Sequence, residues 1–218
     1  MGRKGVKDLV ILGAGGFAEE VIFLIHRINQ FGDYDWKIKG IIDKDFGRNV
    51  MGYPILGDDN WLWERSEEIN LVCAVGSVFT RKKIISRFEK KSNFHFPNLI
   101  DPSVIYDSSV QFGKGIIICA GTILTVNITI GDFTLLNLDC TVGHGTIIED
   151  YVTINPSVNI SGNVKISSGT EIGTGSHIIQ GISVGKNSII GAGAVIIRDI
   201  EGDCTVVGNP GRIIKKNE

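Results

Sequence analysis

Residues 139–156 read Asp139-Cys-Thr-Val-Gly-His144, Gly145-Thr-Ile-Ile-Glu-Asp150, Tyr151-Val-Thr-Ile-Asn-Pro156. The fourth place of each six is Val142, Ile148 or Ile154, and the second is Cys140, Thr146 or Val152. The frame runs without insertion or loss from Ser103 to Arg198, sixteen hexads in all. An apolar residue every six, with a small or β-branched one two places before it, fits neither a 3.6-residue helix nor plain strand alternation. It predicts a parallel β-helix of hexapeptide repeats, three hexads closing one triangular coil. The hexads make about five coils, a prism roughly 25 Å tall at a strand spacing of ~4.8 Å. Fourth-place side chains are expected on the axis. Gly, Asn and Asp at the fifth and sixth places are expected to supply positive φ at the corners. Tyr106 and Phe112 are expected to plug the first coil.

The repeat accounts for the unusual composition of this chain of 218 residues, 28 Gly against 5 Pro. A net charge of −2 gives no basic footprint for nucleic acid. No apolar run approaches the roughly 20 residues of a membrane span, and the first residues lack the apolar stretch of a secretion signal. Cys73, Cys119, Cys140 and Cys204 form no CxxC pair, so neither a disulfide framework nor a zinc site is expected and the cytoplasm is the expected compartment.

Residues 1–100 are different material and are read as a separate domain from 101–218. Asp8–Leu12 predicts a strand, Gly13-Ala-Gly-Gly-Phe-Ala18 a glycine-rich turn, and Glu19–Asn29 an amphipathic helix. Lys37–Ile42 and Leu71–Val75 predict further strands, and Gly76-Ser77 opens a basic helix over 81–91. Alternating strands and helices indicate a small parallel sheet. The turn matches GxGxxA with Asp43 at the ribose-binding place, and the helix start suits a phosphate. About 100 residues hold half a Rossmann fold, which favours a nucleoside diphosphate over NAD. The structural alternative is that these glycines only let strand and helix pack closely.

The chain as a whole resembles the PglD/NeuD-type sugar acyltransferases of bacterial surface polysaccharide and glycan biosynthesis. Gly13–Ala18, Ile41-Ile-Asp43 and Ala74-Val-Gly-Ser77 are similar to that family's UDP-sugar-binding loops. Val207-Gly-Asn-Pro-Gly-Arg-Ile-Ile214 resembles its closing segment, with Gly211 in place of the usual Ala. The resemblance implies a left-handed β-helix, a homotrimer with active sites in clefts between prisms, and acetyl-CoA as cosubstrate without a metal. The implied acceptor is the amino group of a UDP- or dTDP-linked amino-deoxy sugar, with sugar or sialic-acid O-acetylation as the alternative. Gly13, Gly15, Gly16, Phe17, Asp43 and Gly76 are the implied nucleotide-sugar residues. Thr153, Gly173, Thr174 and Ala192 are the implied acetyl-CoA positions, met mostly through backbone.

Of four histidines, His26 lies in the first helix and His95 beside Phe96-Pro97, both read as structural. His144 closes its hexad at a corner and falls at the family's catalytic histidine, while His177 points outward at no matching position. The resemblance makes His144 the general base and places Asn137 near the acceptor amine. A neutral imidazole suits that task, since the acceptor must lose a proton to attack the thioester. The family's acidic residue after the histidine is here Gly145, leaving Asp139 as the carboxylate considered for orienting the ring. The competing readings are a non-catalytic nucleotide-sugar scaffold, an NAD-linked oxidoreductase and a γ-class carbonic anhydrase. The last needs three zinc histidines that the eighteen-residue register does not supply. Outward Ile117, Thr129 and Ile147 are expected to be buried between copies of the chain.

Overall fold

The computed structural model describes residues 4–32 and 34–216. The chain divides into two compact units, Met1–Pro102 and Ser103–Glu218.

In the first unit, strands β1 (Lys4–Leu12), β2 (Tyr34–Ile42), β3 (Asn49–Val50), β4 (Tyr53–Gly57), β5 (Ile69–Cys73) and β6 (Phe94–His95) form one sheet. Its order is β3-β4-β2-β1-β5-β6, parallel apart from the β3–β4 hairpin. Helix α1 (Gly16–Phe31) crosses from β1 to β2, α2 (Asp59–Trp63) follows the hairpin, and α3 (Val78–Phe88) follows β5. The apolar run Leu9–Leu12 is buried on both faces of the sheet, as a central parallel strand must be. Val21, Ile22, Ile25 and Ile28 give α1 its buried stripe. β2 and β5 flank β1 on opposite sides, so the strand order reverses at the carboxyl ends of β1 and β5, where open α/β sheets take ligands.

The second unit is a left-handed parallel β-helix of two-residue strands. Its first face carries Ile117–Ile118, Leu135–Leu136, Thr153–Ile154, Glu171–Ile172 and Ile189–Ile190. The second carries Ile105–Tyr106, Ile123–Leu124, Thr141–Val142, Asn159–Ile160, His177–Ile178 and Val195–Ile196. The third carries Gln111–Phe112, Thr129–Ile130, Ile147–Ile148, Lys165–Ile166 and Ser183–Val184. Every pairing is eighteen residues deep. The solenoid goes beyond the five coils counted from the hexads: Ile200 bridges Val184, and Cys204–Val207 adds a strand beside Ile189–Ile190. Arg212–Lys216 then turns back antiparallel.

Fourth-place residues from Ile118 to Ile196 fill the axis. Buried second-place hydroxyls are satisfied by the backbone of the next coil: Thr122 donates to Asn137 O at 3.1 Å and Thr170 to Gly185 O at 2.9 Å. Tyr106 departs from expectation. It remains 49% exposed, its ring edge-on to Phe112 at 5.3 Å, so the aromatic pair does not seal into the axis.

The corner chemistry also differs. Positive φ falls on the first place of the hexads, at Asn127, Phe133, Asp139, Gly145, Tyr151, Ser157 and Asn163 among others. Phe133 and Tyr151 hold this costly conformation while stacked at 5.3 Å. Fifth-place glycines serve another purpose: a Cβ on Gly143 would lie 2.6 Å from Gly162 N. They are required by the next coil's backbone rather than by their own dihedrals.

Candidate active site

In the first unit, Gly13 leaves β1 at φ 96°, and a side chain there would meet Val75 Cγ2 at 2.8 Å. This glycine is a packing requirement. Gly15 and Gly16 differ: neither has a left-handed φ, and a Cβ on either would meet nothing within 4 Å. The close-packing reading therefore holds for Gly13 and fails for the exposed pair that starts α1, where the first N–H groups of a helix lack intrahelical acceptors and suit an anion. Gly76 also has room for a side chain.

Asp43 fixes the turn. Its Oδ2 accepts from Ala14 N at 2.8 Å and its Oδ1 from Asp45 N at 3.1 Å, while Arg48 donates to Ala14 O. Arg81 is buried and donates to Val75 O at 2.9 Å and Gly76 O at 2.8 Å, holding the loop after β5. A cleft of about 280 Å³ opens at the carboxyl ends of β1 and β2, reaching Gly13, Asp43, Lys44 and the Asp58–Asp59 start of α2. Its far wall is the Thr80, Lys83, Ile84 and Arg87 face of α3, with Arg87 paired to Asp59. Phe17 is half-buried in the first turn of α1 and, like Gly15, Gly16 and Gly76, lies off the lining of this cleft. The α3 wall was missed in the sequence, although Thr80, Lys83 and Arg87 recur at intervals of three and four and so share one helix face.

On the prism, His144 and Gly145 form the turn between the second and third faces. The His144 imidazole lies over Gly162 of the next coil: a Cβ there would be 2.5 Å from Nε2 and 2.6 Å from Cε1. The missing side chain at 162 is thus the ring's seat, a site residue readable only from the eighteen-residue register. Among the described residues the ring makes no hydrogen bond, and Asp139, one corner back, does not orient it. The place of the family's acidic residue is a left-handed corner, where a side chain would need Asn163 to shift. Gly145 has φ 67°, and a Cβ there would collide with Asn163 Oδ1. Gly162→Ala should push the ring from its seat at unchanged melting temperature and, if His144 takes part in the reaction, lower the rate about tenfold. Steady-state kinetics with a thermal melt checks this.

Asn137 is buried just before the corner joining the first and second faces, its Oδ1 accepting from Leu138 N at 2.7 Å. Gly173 stands two coils further along the same edge, with Thr174 beside it and Ala192 one coil beyond. A Cβ on Gly173 would lie 2.6 Å from Ala192 N, so this glycine has a structural reason of its own. Thr153 is buried on the first face. The structure gathers Asn137, Gly173, Thr174 and Ala192 on one edge and places His144 on the next, a full face strand of up to about 20 Å away.

The other histidines fall outside these edges: His26 Nε2 meets Tyr53 OH at 3.0 Å, His95 meets Glu68, and His177 is exposed mid-face. Among the described residues there is no group of three or more His, Cys, Asp or Glu able to hold a metal ion. All four cysteines are free and buried. Burial pushes the Cys73 thiol up to about 12 and that of Cys140 up to about 11, and also raises Cys204. Burial and a raised pKa both count against Cys73, Cys140 and Cys204 as thiolate nucleophiles. Iodoacetamide on the folded protein should leave activity unchanged, and mass spectrometry should find these cysteines unmodified.

Residues 8–88 match the PglD N-terminal domain. A solved variant of perosamine N-acetyltransferase from Caulobacter crescentus, a histidine-to-asparagine mutant in complex with CoA and GDP-perosamine, is 28% identical. That match covers 96% of this chain and 97% of that one, with a TM-score of 0.87. The acetyltransferase domain of PglB from Neisseria gonorrhoeae, in complex with acetyl coenzyme A, is 31% identical over 96% of this chain and 100% of that one, TM-score 0.88. WeeI from Acinetobacter baumannii is also 31% identical over the same shares, TM-score 0.85. A curated serine acetyltransferase from Synechococcus elongatus is 58% identical over 33 residues, 15% of this chain and only 14% of that enzyme's length.

Proposed function

This chain belongs to the PglD/NeuD-type sugar acyltransferase family, and we infer that it moves an acetyl group from acetyl-CoA to the amino group of a nucleotide-linked amino sugar. The observation that carries the reading is the conjunction of an anion-ready α1 start in one unit with an unpartnered corner imidazole in the other. The relatives solved with CoA and GDP-perosamine, or with acetyl coenzyme A, support the same ligand pair. The nucleotide is UDP, dTDP or the GDP of that relative, and the first unit takes its diphosphate at Gly15 and Gly16. Asp43 has a carboxylate at the cleft for the ribose.

His144 acts as general base. As the amine nitrogen attacks the thioester carbonyl carbon, the imidazole takes one N–H proton, the C–N bond forms, the C–S bond breaks and CoA leaves as thiolate. The proton on His144 then neutralises that thiolate. Direct transfer fits the burial of all four cysteines.

Because Asn137, Gly173, Thr174 and Ala192 occupy one edge and His144 the next, one prism does not complete the site in this reading. A threefold assembly does: the edge of one copy meets the His144 edge of its neighbour, and the second face between them turns to the axis. That face suits burial. Its outward column is Ile105, Ile123, Thr141, Asn159, His177 and Val195, without a carboxylate, Lys or Arg. Thr129 and Ile147 lie on the third face, exposed in the single chain, Ile147 at 45%, so this assembly does not use them as the sequence expectation had it. Ile117 corrects the expectation for its position, being only 4% exposed already.

Incubation with acetyl-CoA and UDP-, dTDP- or GDP-linked amino sugars, following free thiol, tests the reaction. Thiol release with an amide product is expected. Ester formation on a hydroxyl sugar would move the assignment to O-acetylation, and no release with any acceptor would leave the scaffold reading.

A further inference from the structure

The edge between the second and third faces carries more than His144. Each core residue Val142, Ile160, Ile178 and Ile196 is in register with the next, so the residues two places on, His144, Gly162, Gln180 and Arg198, form one column. Three steps of the strand spacing put Arg198 about 14 Å above His144. In acetyl-CoA thirteen bonds separate the sulfur from the nearest phosphorus, about 15 Å at the reach of an extended chain. A donor whose thioester lies at His144 and whose pantetheine arm follows the edge brings its diphosphate to the height of Arg198. The opposite edge ascends in the same direction, from Asn137 through Thr174 to Ala192, with Ala192 in the coil of Arg198.

Arg198 is exposed and has no hydrogen bond or ion pair among the described residues. The acids around it are engaged elsewhere: Asp199 accepts from Ser183 N at 2.8 Å, Glu201 pairs with Lys216 at 2.9 Å, and Asp203 accepts from Asn187 at 2.9 Å. A free guanidinium, always charged and able to give two parallel hydrogen bonds, matches a phosphate. We propose that Arg198 is the residue that grips the diphosphate of the acetyl-CoA donor, the column from His144 to Arg198 acting as a ruler for the pantetheine arm. This assignment rests on the acetyl-transfer reading above.

The test compares acetyl-CoA with S-acetylpantetheine, which keeps the thioester and lacks the phosphates. Arg198→Ala should raise the KM for acetyl-CoA about 10–30-fold, leaving kcat and the KM for S-acetylpantetheine within about twofold, and Arg198→Lys should recover part of the loss. An equal rise for both donors, or no rise for acetyl-CoA, would overturn the assignment. Calorimetric titration with CoA alone separates the two claims. A Kd weakened about 10–30-fold in Arg198→Ala, with no wild-type turnover, would keep the phosphate contact and sink the reaction. An unchanged Kd would sink the contact.

Discussion

His144→Ala is expected to lower kcat by about 10²–10⁴-fold, the range a general base supplies. The KM for acetyl-CoA should hardly move, because the imidazole meets only the thioester end of the donor and the implied acetyl-CoA positions would act through backbone. The acidic limb of the kcat–pH profile should vanish, since that limb reports protonation of the base in the ternary complex. Structure sharpens this expectation. Among the described residues the ring has no hydrogen-bond partner, and Gly145 stands where the family has an acid, so in this reading a group that orients the imidazole would come from a second copy of the chain or from the substrate. Near-full turnover of the Ala variant with an unaltered pH profile would dismiss His144.

The second large effect lies in the other unit. Trp at Gly15 or Gly16 should raise the KM for the nucleotide sugar about 100-fold, the loss of two charge-assisted hydrogen bonds to phosphate. The Kd for CoA and the melting temperature should stay as in the wild type, because both positions open onto free space. Gly13→Ala makes the contrast: with φ 96° and Val75 Cγ2 at 2.8 Å, it should melt earlier and lose both ligands together. Similar behaviour of all three variants, measured by calorimetry and thermal melts, would return the loop to a purely packing role.

The prism was legible because its repeat leaves no freedom: a residue's place in the hexad decides whether it faces axis, corner or solvent. What that pattern hides is the relation between coils. Gly162 as the seat of His144, Asn163 as the obstacle at Gly145, and Arg198 in the same column emerge only when residues eighteen apart are set side by side. The same blindness put positive φ at the wrong places, since glycine marks both a left-handed corner and a tight approach to the next coil. In the first unit, α1 is longer than its apolar stripe suggested, running Gly16–Phe31. The β3–β4 hairpin escaped notice because its turn is Met51-Gly52, both at positive φ, where Asn-Gly is the usual signal. Without that hairpin, the Asp58–Asp59 wall of the cleft had no place in the fold.

In the proposed reaction acetyl transfer takes place where two copies of the chain meet, one contributing His144 and the other the Asn137–Ala192 edge. Subunit complementation tests it most directly. His144→Ala and Ala192→Trp chains, each inactive as a pure assembly, are mixed under conditions that exchange subunits, and free thiol is followed with acetyl-CoA and a nucleotide-linked amino sugar. Shared sites predict recovered activity, because some clefts pair an intact His144 with an intact neighbouring edge. Mixtures that exchange subunits, shown by mass spectrometry, and yet stay as inactive as either parent would rule out a site shared between chains.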